Sequence, residues 1–442
     1  MLSVRYTLTT TSTEVCLILF PPPERAGVLF SVFIFHSAGC SFSSSCYNHN
    51  AVAGEHSLNN KKGGLPPPPF SLVHHNNGFV VLGRNMPSRL IIRRDMPLAS
   101  VSRIGIGGSA AWYVRVTTVD DLIGAMLWHN AHRTEYKNVP LMVVGDATNI
   151  LFSDQTVPAF VIHNQASGII PLDEHTLWVE SGTSMNRVVA YCLKHSRRGL
   201  SWAGGLPGTV GGAVYGNAGA FGGQMDACVT GVVSCEKKNG HFVLRYRNAR
   251  GCVFGYRTSI FKRNALRDAG SGGNRISRTS TFNGVGAAII AVIFYAPRVD
   301  SIAVEKKAVA DHRRYRRMHH PMAARTLGST FQNVPVKNVP WLLRKQLADR
   351  IKRDPFPIIP AATLLCRAGC KNLHVGGASF SSQHANFIVA LGKTSARDVK
   401  KLCQRASERV RDVCRVKLIP EIIFDEKFFL TPGRRKPEYG RK

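Results

Sequence analysis

Residues 205–223 read GLPGTVGGAVYGNAGAFGG, and in this stretch eight of nineteen residues are glycine, three are alanine and none is charged. Glycine permits positive φ angles and lets the backbone approach a ligand closely. Consecutive backbone N–H groups can also form a nest that binds anions. The stretch therefore suits a flat or phosphorylated cofactor, although a turn-rich structural loop would explain the glycines equally well.

Residues 205–223 match neither the P-loop nor the usual dinucleotide-binding motif. No Gly-Lys-Ser/Thr closes the stretch, so it is not a P-loop. It also has no G-x-G-x-x-G between a strand and a helix with an acidic residue about twenty residues later, so it is not the usual dinucleotide fingerprint.

The length and charge of the chain limit the classes of protein it can belong to. Its 442 residues predict about two to four domains. A formal net charge of +31 indicates an anionic partner, unless it reflects compositional drift. The basic runs lack the interleaved aromatic residues of single-strand-binding surfaces, so we expect no nucleic-acid partner. No apolar run approaches the ~20 residues that a membrane-spanning helix needs, so we expect no such helix.

The eleven cysteines are odd in number and irregularly spaced, so they do not form a disulfide framework. We interpret them as free thiols in a reducing, intracellular protein. Cys366 and Cys370 have no second cysteine pair nearby, and we therefore expect no metal site.

The two ends of the chain differ from its middle. Residues 1–95 are rich in Ser, Thr, Asn and Pro and poor in acidic residues, which predicts a disordered extension or a targeting arm. Residues 429–442 form a basic tail.

Residues from about 100 onward show regular patterns. Period-2 alternation and apolar runs predict strands at 112–116, 139–144, 159–164, 175–182, 287–297 and 416–425. Residues 228–247 predict a hairpin that turns at Asn239 and Gly240. Thr118 as N-cap, with Asp121 three residues later, predicts a helix to about residue 131. Helical spacing predicts a helix at 184–196, and 302–318 reads as a basic helix. Residues 395–414 predict an amphipathic helix with Val399, Leu402 and Val410 on its apolar face. Residues 264–283 read as a loop, and the mixture of hairpins and helices predicts an α+β fold.

Six further motifs accompany the glycine stretch: RIGIGGSAAWYV (103–114), VVGDATNILFSD (143–154), FGYRTSIFK (254–262), LGSTFQN (327–333), VGGASFSSQHANFIV (375–389) and IPEIIF (419–424). Together with GLPGTVGGAVYGNAGAFG they closely resemble the UDP-N-acetylenolpyruvoylglucosamine reductase family, in the same order. The resemblance covers roughly residues 96–428.

The resemblance implies an architecture. Residues 96–165 and 166–298 would form the two subdomains of a non-covalent FAD-binding region of the vanillyl-alcohol-oxidase (PCMH) type. Residues 299–428 would form an α+β substrate-binding domain.

The resemblance also implies an activity. NADPH would reduce FAD, and the flavin would reduce UDP-N-acetylglucosamine enolpyruvate to UDP-N-acetylmuramate for peptidoglycan synthesis. We expect a cytoplasmic monomer.

The catalytic residues implied by the resemblance are Arg257, Ser329 and Glu421. Arg257 would hold the substrate carboxylate and the developing enolate, because its planar fork binds carboxylates in a bidentate manner. Ser329 would donate the proton, and its hydroxyl must be polarised by neighbours to do so. Glu421 would orient that proton or the environment of the substrate carboxylate.

The resemblance implies two further sets of binding residues. The cofactor set is Gly145, Asp146, Ala147, Thr148, Asn149, Gly208, Thr209, Gly211, Gly212 and Asn217. The substrate set is Tyr256, Asn333, His384 and Asn386, although a buried histidine bonded to backbone would explain His384 equally well.

Two residues depart from the family pattern. Asp146 in GDATN stands where the family commonly has a GGGSN-like loop, and it places a carboxylate near the expected diphosphate. Gln332 stands where the family commonly has lysine, and it removes a positive charge beside Ser329.

Two other functions remain open at this stage. One is a different FAD-dependent oxidoreductase of the same fold, against which the GSTF and PEIIF motifs argue. The other is a degenerate basic protein that binds nucleic acid, against which the presence of Arg257, Ser329 and Glu421 argues.

Overall fold

A computed structural model describes residues 90–132, 134–135, 139–238, 241–267, 287–353 and 356–424. Before residue 90 it describes only strand backbones, at Leu8–Thr10, Thr13–Leu19, Phe30–His36, Phe42–Ser43, Leu72–His75 and Phe79–Leu82. The disorder predicted for residues 1–95 lies largely outside the described residues. So do most of the predicted 264–283 loop and the whole predicted basic tail.

The first unit is a four-stranded sheet covered by one helix. The spatial order of its strands is Arg93–Pro97, Ser109–Val116, Val157–Asn164 and Leu141–Val144. The first pair is antiparallel and the other two pairs are parallel. Helix Val119–Ala131 begins as predicted, because the Thr118 hydroxyl accepts a hydrogen bond from the Asp121 N–H at 3.1 Å.

The second unit is an antiparallel sheet of seven strands. Their order is Ile169–Pro171, Thr176–Glu180, Ala287–Tyr295, Val229–Lys238, His241–Asn248, Phe79–Leu82 and Leu72–His75. The predicted hairpin is confirmed in Val229–Lys238 and His241–Asn248, although its turn lies outside the described residues. The first and second units share a core, in which Leu122 and Met126 of the helix are grouped with Phe160 of one sheet and Ile290 of the other.

The remaining elements of the second unit surround the glycine stretch. Its helices are Met185–Lys194, Val210–Gly216 and Ile260–Arg267, and a short hairpin pairs Gly219–Ala220 with Gly223–Gln224. The predicted helix at 184–196 is confirmed, with Ser184 as its N-cap and Val188, Val189 and Cys192 buried. The glycine stretch is therefore a helix followed by a hairpin and not one continuous loop.

The third unit begins with helix Ala303–His319. Its sheet has the order Thr326–Ser329, Phe387–Ala390, Ala378–Phe380 and His374–Val375, and a two-stranded ribbon joins Val334–Pro335 to Ile358–Ile359. The other helices are Trp341–Gln346, Ala361–Arg367 and Ala396–Cys414. The last of these buries Val399, Leu402 and Val410, as its predicted amphipathic pattern requires.

Short 3₁₀ helices complete the described structure at Leu98–Ser100, Ser201–Ala203, Met225–Ala227, Arg250–Cys252, Val336–Asn338 and Ala348–Arg350. Among the helices of the described residues, none has the length and apolar character needed to cross a membrane.

The strand predicted at 416–425 is wrong over most of its length. Only Ile423–Phe424 forms a strand, which pairs in parallel with Ile150–Leu151. Pro420 cannot donate to a ladder, and the next N–H groups change partner, with Glu421 bonding to Thr330 and Ile423 to Asn149. This change of partner ties the third unit to the first and places Glu421 between them.

Candidate active site

A cleft of about 1100 Å³ lies where the three units meet. The loop at 145–149, the glycine stretch, Arg257, Ser329 and Glu421 all line it. Single ligand pockets are typically about 300–1,000 Å³, so the cleft has room for a large cofactor together with part of a substrate.

Several glycines are required by the protein itself. A Cβ atom at Gly145 would collide with Thr209, and one at Gly223 would collide with the Trp202 ring. A Cβ atom at Gly211 would press on Ser181 at 3.0 Å. At these three positions contacts within the protein already explain the glycine, so a ligand is not needed to explain it.

Two other glycines face open space. Gly212 and Gly216 stand one turn apart on helix Val210–Gly216 and both line the cleft. A Cβ atom at Gly216 would meet nothing within 4 Å, and one at Gly212 would meet only the Thr209 hydroxyl, at 3.6 Å. We call this side-chain-free helix face, with Gly208 and Thr209 at its start, the glycine wall.

The loop at 145–149 crosses the cleft beside the glycine wall. Ala147 has a φ of +43°, a conformation uncommon for a residue with a side chain. The Asn149 amide donates to the Glu421 carbonyl oxygen at 3.1 Å. Asp146 lines the cleft, where partial burial raises the pKa of its carboxyl and the nearby Arg103 lowers it. Burial outweighs the effect of Arg103, so the pKa of the Asp146 carboxyl is raised overall and Arg103 compensates its charge only in part.

Arg257 and Glu421 form an ion pair in the cleft, next to the 145–149 loop. Arg257 Nε lies 2.8 Å from Glu421 Oε1, and each side chain is 20% exposed. The N–H at this nitrogen is not aligned for a hydrogen bond, so the contact is electrostatic. Arg257 Nη2 donates to the Gly219 carbonyl at 3.3 Å, and the guanidinium lies 5.3 Å from the centre of the Tyr256 ring. The backbone at Arg257 is left-handed, with a φ of +55°.

Lys262 completes this group, although the sequence reasoning did not select it. Its Nζ donates to the Arg257 carbonyl oxygen at 3.0 Å. Burial lowers the pKa of this amine, while Glu421 raises it and Arg257 lowers it further. We call Arg257, Lys262 and Glu421 the ionic wall. The lysine closes the YRTSIFK motif, and this position was the one signal that could have identified it.

Ser329 lies at the end of strand Thr326–Ser329, after Gly328 with a φ of +78°, and it lines the cleft. Thr330 is fully buried, and its hydroxyl has no hydrogen-bond partner. Gln332 does not line the cleft, and its N–H donates to the Ile419 carbonyl at 2.9 Å. Gln332 therefore lies outside the cleft and does not supply the positive charge that the lysine of the family pattern would carry.

The proposed substrate residues divide into two groups. Tyr256, Asn333 and His384 line the cleft, and the Asn333 N–H donates to the Tyr256 hydroxyl at 3.2 Å. Asn386 does not line it, because its amide clamps both backbone polar groups of Phe331 at 2.8 and 3.0 Å. His384 Nδ1 accepts from the Asn386 N–H at 3.2 Å, and burial lowers the pKa of this imidazole.

All but one of the proposed cofactor residues line the cleft. Asn217 ends helix Val210–Gly216 in a left-handed conformation and is 1% exposed. Its amide donates to the Gly255 carbonyl at 3.1 Å and accepts from the Asp226 N–H at 3.1 Å. Asn217 therefore holds the end of the helix in place and has no side-chain atom left for a ligand.

Comparisons with known proteins agree with this arrangement. The family model "FAD binding domain" matches residues 110–243, and "UDP-N-acetylenolpyruvoylglucosamine reductase, C-terminal domain" matches residues 320–424. The reductase of Synechococcus sp. (strain JA-3-3Ab) is 27% identical over 332 residues, which are 75% of this chain and 90% of that protein. The reductase of Streptococcus pneumoniae (strain 70585) is 27% identical over 332 residues, or 93% of its length.

A solved structure shows the same fold. The crystal structure of UDP-N-acetylenolpyruvylglucosamine reductase from Thermus caldophilus aligns with a TM-score of 0.53 and 23% identity, over 76% of this chain and 99% of that one. The predicted α+β FAD-binding fold with a further α+β domain is thus confirmed. Residues from both matched ranges line the cleft, and the C-terminal domain match together with the two reductases supports the UDP-N-acetylenolpyruvoylglucosamine reductase family for this chain.

Proposed function

We propose that this protein is an NADPH-dependent flavoenzyme that reduces enolpyruvyl-UDP-N-acetylglucosamine to UDP-N-acetylmuramate during peptidoglycan precursor synthesis. One observation carries the proposal. Arg257 from the second unit and Glu421 from the range matched by the reductase C-terminal domain meet as an ion pair at 2.8 Å in the cleft that the glycine wall lines.

The cleft fits FAD. The glycine wall offers a flat surface without side chains, which suits a planar ring system. The 145–149 loop and residues 208–212 bring backbone groups to the cleft, where N–H donors suit a diphosphate. We propose these segments, without the Asn217 side chain, as the cofactor site. When bound, FAD would accept hydride from NADPH and deliver it to the methylene carbon of the enolpyruvyl group.

The ionic wall would bind and stabilise the enolpyruvyl end of the substrate. Hydride addition leaves negative charge next to the substrate carboxylate, and prearranged cationic donors stabilise such charge most effectively. Arg257 is fixed by Glu421, Gly219 and Tyr256, so little reorganisation accompanies binding. Lys262 adds a second cation behind Arg257 and holds its backbone.

Ser329 would deliver the proton to the carbon beside the carboxylate. A serine hydroxyl is a weak acid, so the cationic neighbours must favour its ionised form for the transfer to be effective. Glu421 would keep Arg257 oriented and could resupply the proton through water. Tyr256, Asn333 and His384 are proposed to contact the rest of the substrate.

The cysteines indicate the compartment in which the protein works. The seven buried cysteines of the described region are free thiols, which favours a reducing compartment, and we propose the cytoplasm. We also propose that the enzyme acts as a monomer, with domains at 96–165, 166–298 and 299–428.

An absorbance spectrum of the purified protein tests the proposal first. Bands near about 370 and 450 nm, bleached by NADPH and restored by enolpyruvyl-UDP-N-acetylglucosamine, are the expected result for flavin reduction and reoxidation. A folded protein that binds no added FAD would refute the proposal. A flavoprotein reoxidised only by oxygen would refute the substrate and leave a flavoenzyme of another specificity.

A further inference from the structure

Arg316 is a buried cation that the mechanism above does not use. It lies on helix Ala303–His319, is 7% exposed and lines the cleft. Its Nε donates to the Gly204 carbonyl at 3.1 Å, and its guanidinium lies 5.1 Å from the centre of the Phe221 ring. Arg316 therefore contacts both ends of the glycine stretch and is held in one position.

One end of this fixed guanidinium has no partner. Arg316 Nη2 is buried without a hydrogen bond, and no carboxylate forms an ion pair with Arg316 among the described residues. An unpaired buried charge costs several kcal/mol, and such groups are normally paired or hydrogen-bonded. Burial lowers the pKa of Arg316 to about 10, so the side chain remains charged at neutral pH. An anion at Nη2 would compensate for this cost.

The cleft around Arg316 has an excess of positive charge. Its cationic lining residues are Arg103, Arg257, Lys262, Arg316, Lys352 and Arg353, whereas the acidic ones are Asp146 and Glu421. Arg103 lies near Asp146 and Arg257 pairs with Glu421, so these acids are already engaged. The proposed function already places the substrate carboxylate at Arg257. The remaining cations, which include the buried Arg316, suit a group of higher charge.

We propose that Arg316 is a second anion-binding residue of the cleft and holds a phosphate group of a bound nucleotide. The identity of the nucleotide rests on the proposed function, which supplies FAD, NADPH and the UDP-sugar as candidates. The proposed anion contact itself rests on the buried Nη2 of Arg316, which has no hydrogen-bond partner, and on the position of this side chain in the cleft.

Isothermal titration of three proteins tests this proposal: the wild type, Arg316→Gln and the control Arg317→Gln. Arg317 is exposed on the same helix, so its variant removes one charge without touching the cleft. FAD is titrated into the flavin-free protein, and NADP⁺ and UDP are titrated into the flavin-loaded one.

One lost charge-assisted hydrogen bond costs about 1.5–3 kcal/mol, so affinity for at least one nucleotide should fall about tenfold or more in Arg316→Gln only. Which nucleotide loses affinity identifies the phosphate. Affinities within about twofold of wild type for all three would overturn the proposal.

Inorganic pyrophosphate separates this proposal from the proposed function. It should raise the melting temperature of the wild type and of Arg317→Gln, and should do so much less in Arg316→Gln. If the wild type binds none of the three nucleotides, the proposed function fails while the pyrophosphate result still decides the role of Arg316. Should Arg316→Gln fail to fold, Arg316→Lys replaces it, because it keeps the charge but loses the fork. Equal pyrophosphate stabilisation in wild type and variant would overturn the proposal.

Discussion

The glycine wall and the ionic wall face the same cleft but are built in opposite ways. The glycine wall presents backbone and open space, and it is held from behind, where the Gly211 N–H donates to the Ser181 carbonyl at 2.8 Å and leaves no room for a Cβ atom. The ionic wall presents three charged side chains: Arg257 pairs with the distant Glu421, and Lys262 donates a hydrogen bond to the Arg257 backbone carbonyl. One wall provides shape, and the other provides charge.

The contrast teaches where substitutions should affect binding and where they should affect chemistry. A flat wall should mainly determine the affinity for a planar ligand, whereas a charged wall should mainly determine the barrier of a step that develops charge. The predictions below test this division.

The largest effect is expected beside the ionic wall, at Ser329. Ser329→Ala removes the proposed proton donor, and general acid catalysis typically contributes roughly 10²–10⁴-fold. We therefore expect kcat to fall by that factor, while reduction of the flavin by NADPH stays unchanged. Stopped-flow absorbance resolves the two half-reactions.

Thr330→Val is the matched control for this prediction. The Thr330 hydroxyl is adjacent, fully buried and without a hydrogen-bond partner, so its removal should alter neither half-reaction. A Ser329→Ala enzyme that turns over at the wild-type rate would remove Ser329 from the mechanism.

The ion pair comes next. Arg257→Lys keeps a charge but loses the fork, and Glu421→Gln leaves Arg257 uncompensated, so each should lower kcat/KM by roughly 10²–10³-fold. Because the two side chains touch, the double variant should lose less than the sum of both, with a coupling energy of about 0.5–3 kcal/mol. Steady-state kinetics of the four proteins measure this coupling.

Arg298 and Glu174 provide a control pair on the surface. Their side chains are 56% and 68% exposed at 3.3 Å, and such pairs contribute little. Arg298→Lys should leave kcat/KM unchanged. Additive losses at Arg257 and Glu421 would mean that the two residues act independently.

The glycine stretch should give smaller effects, which differ between a glycine of the wall that faces the cleft and a glycine that packs against the protein. Gly212→Ala adds a methyl group to the cleft and should weaken FAD binding by about tenfold, while helix propensity favours alanine by up to about 1 kcal/mol. Gly223→Ala instead forces a methyl group into Trp202 and should destabilise the fold by about 1–3 kcal/mol. FAD titration and urea unfolding of both variants separate the two outcomes. Equal effects on affinity and stability in both would contradict the division.

Local features of the fold were predictable from the sequence, because they depend on neighbouring residues. Thr118, Ser184 and Ser395 cap helices through their own side chains, and the amphipathic helix at 396–414 buries the residues its spacing indicates. The family resemblance also selected Arg257 and Glu421, which the structure brings together in the cleft.

The rest depended on contacts between distant residues. A glycine that avoids Trp202 and a glycine that faces a ligand look the same in a sequence, since both lack a side chain. Asn217 and Asn386 resembled ligand-binding residues, but their amides are used by backbone groups of the protein. Arg316 stood in a basic run, RRYRR, in which nothing marked one arginine as buried.

The smallest expected effect concerns His320, which lies between the third unit and the cleft. Burial lowers the pKa of His320 to about 4, and the positive charges facing it, from His384, Arg316, His319 and Lys352, act in the same direction. The unfolded chain, with an ordinary pKa of 6.5, therefore binds more protons than the folded one between about pH 4 and 6.5. The free energy of unfolding should fall as the pH drops through this window. His320→Gln should remove part of that loss, on the order of 1 kcal/mol between pH 7 and pH 5, whereas His374→Gln, at an exposed histidine outside the cleft, should not. Urea unfolding at the two pH values measures the difference. An identical pH dependence in wild type and His320→Gln would show that the acid sensitivity arises elsewhere, for example at the carboxyls of Asp173 and Glu236, whose pKa values are lowered by their hydrogen bonds.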